Sequence, residues 1–194
     1  MSVLRRANPD AIVSIGAYAA AAAFIRDARD AAWDIPIANV SFVGSEEMLN
    51  LLLESSRARG RNYTINLINS QVVPSYGDIS LPAVRQYREL MDKYDPMPPR
   101  EILDKDYKPL RYSFVSFEGF LNAKLFVEIL HRMSNAIERT HLREAAEEVK
   151  DYDIGIDVSV SLGPQKHQGL DVVYYTTVQE DRFVPIRDWK VWEK

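Results

Sequence analysis

Apolar and polar positions along the chain follow two successive rhythms. The apolar run at 11–15, Ala11-Ile12-Val13-Ser14-Ile15, has the length and β-branched content of a strand, and Gly16 breaks it. From about 18 to 32, Ala21, Phe24, Ile25, Ala28 and Ala32 recur on one face at helical spacing, and Arg26, Asp27, Arg29 and Asp30 occupy the other. Strand, glycine turn and alanine-faced helix open an α/β unit. Such a turn lies at the carboxyl end of a parallel strand, where open α/β sheets bind ligands, and the helix start offers N–H groups to an anion. A binding site is therefore expected at Gly16, Ala17 and Tyr18.

The same alternation continues downstream. Residues 36–40 read as a second strand, and Ser45 as the cap of a helix whose first turn holds Glu46 and Glu47 and which Gly60 stops. Residues 63–73 read as a third strand broken by Pro74-Ser75-Tyr76-Gly77-Asp78. Helices are predicted over 80–94 and about 113–133, the second with Lys124 and Glu128 as an i,i+4 pair. Between them, residues 95–111 lack periodicity and carry Pro96, Pro98, Pro99 and Pro109, which marks a surface loop. Thr140 is the expected cap of a last helix, 141–149. Past Gly155 the rhythm changes to period two: Val158, Val160 and Leu162 alternate with serines. Strands follow at 170–178 and 182–186 around Glu180-Asp181. The predicted order is βαβαβα, then two helices, then an antiparallel β tail. That is an α/β fold with parallel-sheet lobes.

Composition narrows the chemistry. The 194 residues are 46% hydrophobic and 27% charged with a net charge of −4, an ordinary globular balance with no basic excess for nucleic acid. No cysteine is present, so disulfides, thiolate catalysis and Cys-ligated metals are out. No signal-peptide pattern follows Met1, and the longest apolar run, 17–25, is too short to enter and cross a bilayer. His131, His141 and His167 lack metal-ligand spacing, and Asp151, Asp153 and Asp157 lack the rest of a calcium loop, so no metal and no cofactor is expected. Phosphate-loop, dinucleotide and nucleophile-elbow motifs are absent, which argues against an α/β enzyme. Trp189 and Trp192 are expected to cover the last strand.

Several blocks resemble, in order, the C-terminal half of type I periplasmic substrate-binding proteins of the branched-chain amino-acid/amide ABC-transporter class. They are Pro9-Asp10-Ala11-Ile12-Val13 through Ala28-Arg29, Asn39-Val40-Ser41-Phe42-Val43-Gly44-Ser45, and Ser70-Gln71-Val72-Val73-Pro74 leading to Pro82-Ala83-Val84-Arg85-Gln86-Tyr87. Ser116-Phe117-Glu118-Gly119-Phe120-Leu121-Asn122-Ala123-Lys124 and Leu162-Gly163-Pro164-Gln165-Lys166-His167-Gln168-Gly169 complete the series.

The resemblance implies two lobes that close by a hinge on a small-molecule ligand. Residues 1–74 and 156–194 would belong to the second lobe and 78–152 to the first. The hinge crossings would fall at 75–77 and 153–155, with Pro74, Ser75, Tyr76 and Asp153 as hinge residues. Ligand contacts would carry over to Ala17 and Tyr18 after the first strand and to Ser41 and Phe42 after the second. Amino-acid-binding members place a carboxylate in that second loop, and Asn39-Val40-Ser41-Phe42 offers none. An amide or an aromatic or aliphatic acid thus fits as well as an amino acid. Family members are much longer, so the fold is expected to be incomplete: a truncated C-terminal portion with unpaired sheet edges prone to self-association. Uptake through a membrane permease and a periplasmic or cell-surface location are implied for the full-length parent. A ligand-sensing domain with the same fold is the alternative.

Overall fold

The structure, a computed structural model, describes residues 2–103, 105, 109–133 and 138–192. Its elements are α1 (Ser2–Arg6), β1 (Ile12–Ser14), α2 (Tyr18–Asp30), β2 (Ile37–Asn39), α3 (Ser45–Arg59), β3 (Leu67–Gln71) and α4 (Pro82–Tyr94). They continue with α5 (Phe114–Arg132), α6 (Leu142–Glu147), β4 (Tyr152–Asp153), β5 (Ser159–Val160), β6 (Tyr174–Gln179) and β7 (Arg182–Pro185). The chain forms two compact units: Met1–Ser75 with Val173–Lys194, and Tyr76–Val172.

The first unit is a five-stranded sheet in the order β1-β2-β3-β6-β7. The first three strands are parallel, with Ile12, Ile37 and Leu67 in register, and β6 and β7 add antiparallel. Those three residues face α2 and α3 in a core with Ala21, Ala22, Ile25, Ala28, Met48, Leu52, Trp33 and Tyr63. Small side chains on α2 let its backbone approach the sheet closely, as the alanine run predicts. Glu180 and Asp181 both take left-handed backbone (φ 48° and 61°), the two-residue turn whose twist suits a hairpin. Trp189 meets Tyr175 of β6 edge-on at 5.2 Å and Trp192 at 5.7 Å, and Trp192 also lines a hollow beside Asp10 and Trp33.

Three expectations for this unit are corrected. Arg29, read as part of the polar face, is fully buried and donates to the carbonyls of Trp33 and Ile65, each at 2.6 Å. Burial lowers its proton affinity, and Asp34 nearby partly offsets this. Ser45 is not the helix cap: Gly44, at φ 76°, holds that position. Finally, β3 begins only at Leu67. Asn62 Oδ1 accepts from both the Thr64 amide and hydroxyl at 2.8 Å, and left-handed Asn66 delays the extended backbone.

In the second unit α4 and α5 pack through aromatic side chains. Tyr87 lies 5.1 Å from Phe117 and 5.7 Å from Phe120, and its hydroxyl meets Ser116 Oγ at 2.5 Å. Ser113 caps α5, its Oγ accepting from the Ser116 amide at 3.1 Å. Lys124 does not pair with Glu128; it donates to the Ile154 carbonyl at 2.9 Å, and Glu128 accepts from Arg132 at 2.8 Å. Thr140 lies inside a 3₁₀ turn, Arg139–His141, and α6 starts after it, shorter than expected. Most of the aperiodic stretch is loop, with one 3₁₀ turn at Arg100–Ile102; residues 104 and 106–108 lie outside the described residues. The period-two segment after Gly155 pairs back on its own approach, β5 against β4, so residues up to Val172 stay with this unit.

Candidate functional site

The carboxyl ends of β1 and β2 place the expected contact residues. Ala17 occupies the N-cap position of α2 with extended backbone and no side-chain cap, and Tyr18 is the first helical residue. After β2 the chain makes a single 3₁₀ turn, Ser41–Val43, then the left-handed Gly44 and α3. A Cβ on Gly44 would sit 3.5 Å from Tyr18 Cδ1, an ordinary van der Waals contact, so the two loops lie side by side. The Ser41 amide donates to Ser70 Oγ at 3.1 Å, which ties the second loop to the end of β3. Tyr18 and Phe42 both present surface to solvent (45% and 65% exposed).

Gly16 is not the constrained glycine. Its φ is not positive and a Cβ there meets nothing within 4 Å, whereas Gly44 has the left-handed φ of 76° that favours glycine, and a Cβ there would meet Tyr18 at ordinary contact distance.

A buried polar cluster lies beneath these loops. Ser45 Oγ accepts from Asn69 Nδ2 at 3.1 Å and from Gln71 Nε2 at 2.9 Å. Asn39 Nδ2 donates to Asn69 Oδ1 at 3.4 Å, and Thr176 Oγ1 to the Asn69 carbonyl at 3.3 Å. The cluster fixes the start of α3 over the strand ends, and the sequence reading missed it. Its signal was Asn39, Asn69 and Gln71 standing at strand positions that should face the core. Glu46, in the first turn of α3, is itself buried and engaged, and Glu47 stands beside it. No acid occurs within the two loops, 15–17 and 40–44.

Pro74 and Ser75 end the first stretch of unit one and Tyr76 opens unit two; the chain returns at Val172–Val173. Asp153 lies inside unit two, in β4, where its Oδ1 accepts from the Gly155 amide at 2.8 Å. Unit one also has two hollows of about 400 and 430 Å³, one by Arg57, Asn62 and Glu180 and one by Asp10, Trp33 and Trp192. Asp10, Pro36, Asn62 and Asn66 precede β1, β2 and β3, so both hollows lie toward the amino ends of the parallel strands. Among the described residues no group of His, Asp and Glu could hold a metal ion.

Comparison with solved structures follows this geometry. A possible leucine/isoleucine/valine-binding protein from Rhodopirellula baltica SH 1 is 28% identical; the match covers 96% of this chain and 44% of that one, with a TM-score of 0.76. A periplasmic binding protein type 1 from Bordetella pertussis Tohama I is 21% identical, with 94% and 47% covered and a TM-score of 0.66. The chain has part of the type I periplasmic-binding fold. A fatty acid ABC transporter substrate-binding protein from Thermomonospora curvata shares this fold at 18% identity, with 95% and 44% covered and a TM-score of 0.67. At family level the match is to type I periplasmic and extracellular ligand-binding proteins, and the chain spans under half the length of the structures it matches. The structures it matches are named as binding proteins. No family model matches the chain, and no curated protein does.

Proposed function

We propose that the chain is part of the solute-binding component of an ABC-type uptake system, working outside the cytoplasmic membrane beside a permease. In this reading unit one belongs to the second lobe and most of unit two to the first. Pro74, Ser75 and Tyr76, where the chain passes from unit one to unit two, serve the hinge, Asp153 lies away from this crossing, and ligand is held without covalent change. The observation that carries the reading is the approach of Gly44 to Tyr18, which sets the two loops, with exposed Tyr18 on one and exposed Phe42 on the other, side by side at the carboxyl ends of neighbouring parallel strands. Ala17 gives backbone N–H access at the start of α2, Tyr18 a ring face and hydroxyl, Ser41 a small hydroxyl and Phe42 apolar area.

The ligand is a small organic solute with an apolar part. Two loops without a carboxylate favour an amide or an aliphatic or aromatic acid over an α-amino acid. The leucine-type name of the Rhodopirellula baltica protein points the other way. The decisive measurement is calorimetric titration of a chimaera in which this chain replaces the matching part of that protein. Binding of aliphatic or aromatic acids, weakened about tenfold or more by Tyr18→Ala or Phe42→Ala, is expected. Tight binding of leucine would refute the ligand class, and indifference to both substitutions would refute the site.

A further inference from the structure

The two hollows of unit one lie toward the amino ends of the parallel strands, away from the strand-end loops, and they differ in charge. The first brings Arg57 and Arg61 together with Glu180 and Asp181, and these charges already meet: Arg57 Nη2 lies 3.7 Å from Asp181 Oδ2. The second, of about 430 Å³, has Asp10 and Asp34 as the only ionisable side chains among its described lining residues. Trp33, Ile35, Pro36 and Trp192 supply the rest of its wall, aromatic and apolar. One hollow is thus charge-balanced by its own residues, and the other is acidic beside two indoles.

The wall of the acidic hollow is held from behind. The segments that precede β1, β2 and β3 are bonded in series: the Ile12 amide donates to the Pro36 carbonyl and the Ile37 amide to the Asn66 carbonyl, each at 3.0 Å. Asn66 Nδ2 donates to the Asp34 carbonyl at 2.6 Å, and buried Arg29 spans the carbonyls of Trp33 and Ile65. Trp192 meets Trp189 at 5.7 Å, and Trp189 in turn meets Tyr175 of β6. A ligand entering such a wall loses little free energy to ordering it. Asp34 Oδ1 lies 4.0 Å from both Arg29 Nε and Arg61 Nη2. That is ion-pair range but beyond hydrogen-bond reach, so the carboxylate can still accept from a donor in the hollow.

We propose that this hollow is a second binding site, for a small organic cation with an apolar body, of the arylalkylammonium kind. The ammonium N–H groups donate to Asp10 and Asp34, and the indoles attract the same charge through their ring quadrupoles. Ile35 and Pro36 cover the apolar body. An anion of the same shape is repelled by both carboxylates, and a neutral analogue forfeits the charge-assisted bonds, so charge is what the site selects. Tyr18 and Phe42 stand at the other ends of the strands. The site therefore acts independently of the strand-end loops, whatever ligand those take.

The test is calorimetric titration of the full 194-residue chain with phenethylammonium, phenethyl alcohol and phenylacetate, the indole N–H resonances being followed in parallel. Saturable one-to-one binding of the ammonium with a Kd of about 1 mM or tighter is expected, with the alcohol about tenfold weaker and the acid not binding. The Trp192 indole resonance, assigned by its loss in Trp192→Leu, should shift with the ammonium. Asp10→Asn and Trp192→Leu should each weaken binding about fivefold or more. Asp10 is exposed and Trp192 half-buried near the chain end, so both variants should melt like the parent. Should Trp192→Leu soften the fold, Asp10→Asn decides alone. Phe42→Ala should leave the titration unchanged. Lack of saturation below about 10 mM, equal binding of the alcohol, indifference to Asp10→Asn, or loss of binding in Phe42→Ala would each overturn the proposal.

Discussion

The two units hold their helices in different ways. In unit one, β1, β2 and β3 set a register, and α2 settles on them through Ala21, Ala22, Ile25 and Ala28. Side chains there are small or aliphatic, and the polar cluster around Ser45 locks the strand ends. In unit two the strands are a two-stranded ribbon, and α4 and α5 meet through Tyr87, Phe117 and Phe120. The helix pair is joined to the ribbon by the segment around Gly155, whose carbonyl accepts from the Ala83 amide at 2.9 Å. A sheet distributes constraint over many backbone bonds; unit two relies on fewer links, among them this close approach and the Lys124 bond to the Ile154 carbonyl.

The sharpest way to break this contrast is Gly155→Val. Gly155 has φ 90° and a Cβ there would lie 3.0 Å from the Ala83 nitrogen, so strain and clash together should destabilise unit two by about 4 kcal/mol. Denaturant unfolding followed by amide exchange should show unit two opening first, and equal loss in both units would contradict the separation. In unit one, Arg29→Met keeps volume but strips the donors from the Trp33 and Ile65 carbonyls, for an expected loss of about 3 kcal/mol in the same measurement. Unchanged stability would mean that water replaces the guanidinium without penalty.

Ser45→Ala comes next, at about 2 kcal/mol, because the Asn69 and Gln71 amides lose their shared acceptor. Exchange at the start of α3 should quicken, and a rise confined to other elements would count against the cluster's role. The smallest effect is at the surface of unit two. The Tyr112 hydroxyl, then Arg111, holds the Asp92 carboxyl below its usual range. A depressed folded value stabilises above the unfolded pKa near 4 and loses that contribution as pH falls through the lower folded value. Asp92→Asn should thus flatten the acid limb of the stability–pH curve and leave the order of unit opening unchanged. An unaltered acid limb would show that the pair is fully screened.

The sequence carried the parallel-sheet opening, the alanine-faced helix and the Glu180-Asp181 hairpin, because each rests on local periodicity or turn chemistry. The match to solved structures agrees with the resemblance read from the ordered blocks. Arg29 defeated periodicity: three of its neighbours on the polar face are solvated, and only the carbonyls of Trp33 and Ile65, distant or post-helical, explain its burial. Ser45 looked like a cap because serine before Glu46 and Glu47 usually is one; tertiary partners from β3 claimed its hydroxyl instead. Residues 156–172 carried a β rhythm without saying which strand would receive it. The strand–turn–helix pattern marked Tyr18 and the resemblance added Ser41 and Phe42, whereas the approach of Gly44 to the tyrosine is visible only in three dimensions.

All three tryptophans, Trp33 in the core, Trp189 against Tyr175 of β6 and Trp192 beside Trp189, belong to unit one, and residues 76–172 contain none. Intrinsic fluorescence excited at the indole band is therefore a one-sided optical probe. Its red shift reports exposure of Trp33 while remaining blind to events in the aromatic helix pair, which only tyrosine and phenylalanine signals can follow. Comparing the two emissions during a single melt gives each unit its own clock without a label.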